Sequence, residues 1–214
     1  MADSSAGTMK LVGGDPCLDF VNTVGGRLTS GTASATRSVV RDDKLRSYDD
    51  LLAWVRHAEL VSERGTRELA RVARRRPREA SRVLARAVST REALHRVLVS
   101  LMRGRVPPAP DLATLNAELA ALRGRERLVP GASGLQWEPA RPGSGLDSVL
   151  GPIWRAAAAL LTSGDASRLR QCGGEGCGWL FLDRSRNRSR RWCTMEDCGN
   201  LSKVRHFRQR QRRA

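Results

Sequence analysis

Four of the five cysteines lie between residues 172 and 198, as Cys172-x4-Cys177 and Cys193-x4-Cys198 with fifteen residues between the pairs. Two thiolate pairs of matched spacing around a short insert form the donor set of a tetrahedral zinc site. Each pair supplies two sulfurs and the insert folds over the metal. Protein then fills all four positions, so such a zinc does no chemistry of its own and acts as a structural clamp. Two disulfides or an iron–sulfur cluster are the alternatives for the same cysteines. Nothing else in the chain looks secreted, which speaks against disulfides, and the small insert favours zinc over a cluster.

The elements that must hold these sulfurs are short. Residues 179–183 are strong β formers, 184–189 a polar turn and 190–192 a returning strand, so the insert is predicted to be a hairpin. Residues 194–211 are predicted to be helical, with Cys198 in the first turn and Leu201, Val204 and Phe207 packing against the hairpin. This knuckle, hairpin and helix order is that of treble-clef zinc modules. About 45 residues cannot bury a sufficient core alone, and a four-thiolate zinc supplies roughly 10–16 kcal/mol of apparent folding energy.

What the clamp orients is arginine. The insert carries Arg184, Arg186, Arg188, Arg190 and Arg191, and the helix carries Lys203, Arg205, Arg208, Arg210 and Arg212. Arg205, Arg208 and Arg212 share one face at i, i+3 and i+7. Guanidinium groups suit bidentate phosphate contacts and guanine edges, so a helix in a major groove is the expected use. A solvated basic tail is the plainer alternative.

The 214 residues include 38 basic and 22 acidic side chains, a formal charge of +16. Only Lys10, Lys44 and Lys203 are lysines. An Arg- and Ala-rich composition can arise from coding bias, so placement weighs more than the total. Residues 170–214 hold twelve basic and four acidic side chains, a net +8 and half of the charge. No apolar run approaches the ~18 residues of a membrane span, and residues 1–8 are polar with no apolar export segment. A reducing cytoplasm, in which thiolates stay free for metal, is the expected location.

Upstream, the pattern predicts a mainly α (α+β) domain over residues 9–169, after a disordered start at 1–8. Residues 9–12 read as a strand, and Asp15-Pro16 caps a helix whose Cys17, Phe20, Val21 and Val24 share one face. Cys17 reads as a small core residue. Residues 25–38 read as a mobile loop. Ser47 and Asp50 form a capping box opening a helix to about 61, and a short helix covers 66–75. A long helix from Pro77 to about Met102 has its arginines outward on a solvated face. Asp111 opens a helix with Leu112, Leu115, Leu119 and Leu122 inward. Residues 127–138 are a hairpin, expected to pair with 9–12, and 144–162 are a helix that is apolar nearly all round.

Neither a P-loop, GxGxxG, HExxH nor GxSxG occurs, and three histidines form no acid–base constellation, so an enzyme is not expected. The candidate ligand pocket is Asp19, Asn22, Thr23 and Arg27, for which helix-end capping and hydrogen bonding is the alternative role.

Two stretches carry a resemblance. The hairpin between Trp179 and Trp192, its run Phe181-Leu182-Asp183-Arg184-Ser185-Arg186-Asn187 and the Cys193 to Asn200 segment resemble the CGNR zinc-finger family. Leu11-Val12-Gly13-Gly14 and Cys17-Leu18-Asp19-Phe20-Val21-Asn22-Thr23 resemble the start of the ABATE domain that accompanies it. The resemblance implies a bacterial, stress-induced transcription regulator. The name-giving motif ends in arginine, whereas this chain has Cys198-Gly199-Asn200-Leu201. The reading that follows is a zinc-containing DNA-binding protein whose N-terminal domain senses a small-molecule effector or forms a homodimer. An RNA-binding or ribosome-associated zinc protein and a protein-interaction module are the alternatives.

Overall fold

A computed structural model describes residues 5–27, 42–131, 134–139 and 145–211. The expected mobile loop falls outside these residues from 28 onward, as do residues 1–4 of the expected disordered start, whereas residues 5–8 are ordered turns with Ala6 fully buried in the core.

The first helix, α1 (Pro16–Val21), starts where the Asp15 carboxylate accepts from the Cys17 amide at 2.9 Å. Its six residues pass through the centre of the core. Phe20 lies 5.2 Å from Trp54 and 5.6 Å, edge to face, from Trp154, which joins α1 to two later helices. Cys17 is fully buried there, as expected of a small core residue. A two-residue strand, β1 (Val24–Gly25), then pairs antiparallel with β2 (Asp42–Asp43).

The capping box at Ser47 and Asp50 is present in both directions and opens α2 (Tyr48–His57). That helix stops short of residue 61, because Glu59 takes a positive φ of 56° and ends the turn. Ser62 caps α3 (Glu63–Arg75), whose first turn begins earlier than apolar spacing suggests. The long helix α4 (Pro77–Met102) has the predicted ends and buries Ala80, Val83, Ala87, Leu94, Val97 and Leu98. In α5 (Ala109–Arg123) Leu115 is buried, but Leu112 is exposed. The inward polar positions explain that difference: Asp111 and Glu118 are buried and bind Arg96 (2.6 Å) and Arg86 (2.5 Å) of α4. The α4–α5 seam is therefore partly ionic.

The predicted hairpin forms from β3 (Glu126–Gly131) and β4 (Gly134–Pro139), but among the described residues these strands pair only with each other. Residues 9–12 are not a strand. Met9 is buried in the main core, Val12 packs on the cysteine module, and the Gly13 carbonyl accepts from the Leu182 amide at 2.8 Å. The expected single helix over 144–162 is broken. A 3-10 turn (Leu146–Leu150) is followed by α6 (Gly151–Thr162), because Pro152 has no amide to continue the ladder and fits a helix start. A further 3-10 turn (Gly164–Arg168) leads into β5 (Leu169–Gln171), which pairs with β6 (Leu180–Leu182).

Strand β6 is the wall between two cores. Alternation sends Leu180 and Leu182 into the main core with Phe20 and Trp154, while Phe181 packs with Cys172 and Cys193 on the other side. Asn22, fully inside, clasps this strand: its Nδ2 donates to the Leu180 carbonyl and its Oδ1 accepts from the Leu180 amide, both at 2.8 Å. Asn22→Ala would leave both Leu180 groups buried and unpaired. It is expected to cost about 2–4 kcal/mol in urea unfolding, whereas a change below 1 kcal/mol would mean that water replaces the clasp.

Candidate metal centre and nucleic-acid interface

The β5–β6 hairpin carries Cys172 and Cys177 in its loop, and the second pair arrives from the far end of the insert. The predicted partner strand at 190–192 does not form. Instead, the strand that pairs with β6 lies upstream of the cysteines, and residue 191 contributes its carbonyl to the Gly173 amide at 2.9 Å. Thr194 caps a one-turn π-helix (Met195–Gly199), accepting from the Asp197 amide at 3.1 Å, and Cys198 sits in that turn. Helix α7 (Asn200–Gln211) follows directly.

The four sulfurs lie within 4.8 Å of one another. Cys177 and Cys193 Sγ are 3.8 Å apart, and Cys193 and Cys198 Sγ 3.5 Å. A tetrahedron with Zn–S bonds of about 2.3 Å needs sulfurs roughly 3.8 Å apart, so the set fits zinc. None of the five cysteines is disulfide-bonded. The Cys172 thiol is held well below its usual range, first by hydrogen bonding from the Cys177 and Cys193 thiols and then by the Cys193 and Gly174 amides, at 3.2 and 3.3 Å. The same coupling pushes Cys177 up. Thiolates this close repel one another, and a divalent cation removes that conflict. Gly174 belongs here for want of space: a Cβ would stand 2.8 Å from Cys198 Sγ.

Residues 168–211 match the CGNR zinc finger, and residues 14–164 match ABATE, described as "putative stress-induced transcription regulator". The chain belongs to the ABATE family. No curated protein matches it. The finger match and the four converging sulfurs together support one structural zinc ion. The two matched families are of regulator and zinc-finger type, not enzymatic. No helix among the described residues is long and apolar enough to cross a membrane.

In this ABATE chain the basic residues divide into two groups. Arg184, Arg186, Arg188 and Arg191 are exposed on the loop after β6. Arg184 comes within 3.9 Å of Asp165, and Arg191 lies over the Trp192 ring. Arg190 is different. Its guanidinium stacks on Phe181 at 4.2 Å and donates to the carbonyls of Val12, Trp192 and Cys193, tying the insert to residue 12. Asp183 organises the loop, accepting from Ser185 and from the Arg190 amide. On α7, Lys203, Arg205 and Arg208 are exposed, and Arg205 pairs with Glu175 at 2.8 Å. Arg210 is a residue of α7, and Arg212 lies outside the described residues.

The expected packing of Leu201, Val204 and Phe207 against the insert does not occur. They are 57%, 46% and 54% exposed. Helix α7 starts directly from the metal site and its Thr194-capped turn, and one side of it, with Leu201, Arg205 and Gln209, faces a cleft against residues 173–175.

Asp19, Asn22, Thr23 and Arg27 are all buried, and each has a protein partner. Asp19 Oδ1 accepts from the Gly13 amide at 2.8 Å, Asn22 clasps β6, and Thr23 Oγ1 donates to the Phe20 carbonyl and accepts from Arg91. Arg27 makes a two-point pair with Glu92 at 2.6 and 2.8 Å. This is a hydrogen-bonded frame behind the finger. The Arg27 backbone also touches the knuckle: a Cβ on Gly178, whose φ is +71°, would meet the Arg27 carbonyl at 2.4 Å.

Burial raises the Asp19 carboxyl from its ordinary range to about 6, against the opposing hydrogen bond from Gly13. An acid with a raised folded pKa favours the protonated folded state. Its stability contribution is therefore greatest at low pH and falls as pH rises from near 4 to about 6. Asp19→Asn keeps the acceptor for Gly13 and removes the charge. It is expected to gain about 1–3 kcal/mol at pH 7 and to flatten that part of the pH–stability curve, as measured by urea unfolding at pH 4 and 7.

Two features gave no signal in the sequence. One is a buried ionic network around Arg91, which corrects the expectation that the α4 arginines form a solvated face. The other is a cleft of about 660 Å³ between α3, β4 and α6, floored by Leu69, Val72 and Val149 and edged by Trp137, Arg76 and Arg155. Its residues come from three separate stretches, 60–76, 136–137 and 145–155.

Proposed function

We propose that this protein is a DNA-binding transcription regulator in which residues 170–214 form the binding module and residues 9–169 the regulatory domain. The observation that carries the reading is α7. A 12-residue helix gains little stability alone, yet this one starts from the metal-binding turn, is tied to the knuckle by the Arg205–Glu175 pair, and presents exposed Lys203, Arg205 and Arg208. Arg184, Arg186, Arg188 and Arg191 add exposed positive charge on the loop after β6, while Arg190 serves the fold. Six phosphate contacts would give log K against log salt a slope near −5.

The test is selection from a random duplex library with the zinc-loaded chain, with Cys172→Ser as control, followed by a salt titration of the enriched sequence. Enrichment lost in the control, with a steep salt slope, supports the reading. A flat salt dependence overturns it, and preference for structured RNA over the duplex would replace DNA with RNA. The role assigned to residues 9–169 is to bind a small-molecule effector or to form a homodimer, in a cytoplasmic, non-catalytic protein. The cleft beside Trp137 has the volume of a ligand site and is where an effector would sit. A small-molecule thermal-shift screen with Trp137→Ala as control tests that part.

A further inference from the structure

We infer that Leu201 and Val204 read thymine 5-methyl groups in the DNA major groove. The inference rests on the DNA-binding reading and assigns its base specificity. At 100° per residue, Arg205, Arg208 and Val204 fall within about 60° of Leu201 around α7, so these four side chains share one surface, and Phe207, about 120° from Leu201, flanks it. Leu201 and Val204 are 57% and 46% exposed there, and Leu201 also edges a cleft of about 200 Å³ that it shares with Gly173, Gly174 and Glu175 of the finger.

A second copy of the chain fits this surface poorly. Three half-exposed side chains fall well short of the ~800 Å² per partner in a stable interface. Apposing two copies would also set Arg205 and Arg208 against their counterparts, and Glu175 is already paired with Arg205. Duplex DNA satisfies both halves: phosphates meet the arginines, and the thymine methyl is the apolar group that the major groove offers between them. An arginine at position 201 would read guanine or bind phosphate. Leucine there exchanges a hydrogen-bonding contact for an apolar one, so this chain is expected to favour A·T-containing sites.

The experiment uses the full zinc-loaded chain and the duplex enriched by selection. Each thymine is replaced in turn by deoxyuridine, which deletes the methyl and keeps the base pair. Affinity is expected to fall about fourfold at each methyl contacted, the value of one buried methyl-sized group, and the sensitivity should vanish in Leu201→Ala or Val204→Ala at the corresponding base. Leu201→Arg should steepen the salt slope by about one and lose the deoxyuridine effect. Equal binding of thymine and deoxyuridine duplexes with a steep salt slope overturns the methyl readout and leaves DNA binding intact. Absence of any salt-dependent duplex binding overturns both. Concentration-dependent self-association that Leu201→Ala and Phe207→Ala abolish, with DNA affinity unchanged, would assign the stripe to a second copy and overturn the inference.

Discussion

Removing the zinc is expected to unfold the chain in one transition rather than to release its last fifth alone. Four thiolates contribute roughly 10–16 kcal/mol of apparent folding energy, comparable to or larger than the 5–15 kcal/mol that typically separates a folded domain from its unfolded chain. The loss would not stay local. Leu169, Leu180 and Leu182 belong to the same buried cluster as Phe20, Trp54 and Trp154, and Asn22 holds β6 through both Leu180 backbone groups. A strong chelator, or Cys193→Ser, should therefore collapse the near-ultraviolet signal of the buried tryptophans together with the far-ultraviolet signal, and shift the urea midpoint of both equally. Two separate transitions, with the tryptophan signal surviving metal loss, would contradict this coupling.

The second large effect is expected at Arg91, which is 1% exposed although it sits among surface-looking arginines. Its guanidinium forms two hydrogen bonds with Asp43, at 2.9 and 2.6 Å, one with Thr23 Oγ1 and one with Glu92. Glu92 in turn holds Arg27. Arg91→Met would leave Asp43 with an uncompensated, partly buried charge, and is expected to cost about 3–5 kcal/mol. Arg91→Lys should recover only part of this, since an ammonium cannot supply the two-point contact.

The pH dependence follows from the same network. Burial alone would raise Asp43 and Glu92, but hydrogen bonds and charge from Arg91 and Arg27 outweigh it, and both carboxyls lie below their ordinary range. Acids with depressed folded values stabilise the fold above the unfolded carboxylate range, near pH 4, and that stability is lost as pH falls through their lower folded values. The Arg91→Met chain should show a weaker loss of stability below pH 4 than the natural chain. Parallel acid-unfolding curves for the two would overturn the assignment.

Reading the sequence succeeded where one kind of local information sufficed. Cysteine spacing located the metal, and sustained periodicity over α4 gave both of its ends. The Ser47 and Asp50 pair gave the start of α2. It failed where the deciding partner is distant in sequence. Arg91 has the same residue type as its exposed neighbours, and only Asp43, brought close by the β1–β2 pairing, makes it a core residue. The strand beside β6 came from upstream of the cysteines because Leu169 had main-core space to fill, whereas residues 190–192 were taken by Arg190's contacts with the insert. Leu201, Val204 and Phe207 show the limit of hydrophobic pattern: a stripe at helical spacing records what a helix can bury, not whether its own chain supplies the cover.

The shared wall at β6 bears on how such a protein can change over generations. A finger joined by a slack tether can be exchanged between proteins by recombination, because nothing on its neighbour must match it. Here an incoming finger would have to present a Leu180 backbone to Asn22, a Leu182 amide to Gly13 and an indole to the Val24 carbonyl, which accepts from Trp179 at 3.0 Å. The helical domain and the finger are thus matched to one another at β6, so substitution along α7 disturbs fewer of these contacts than importing another finger would.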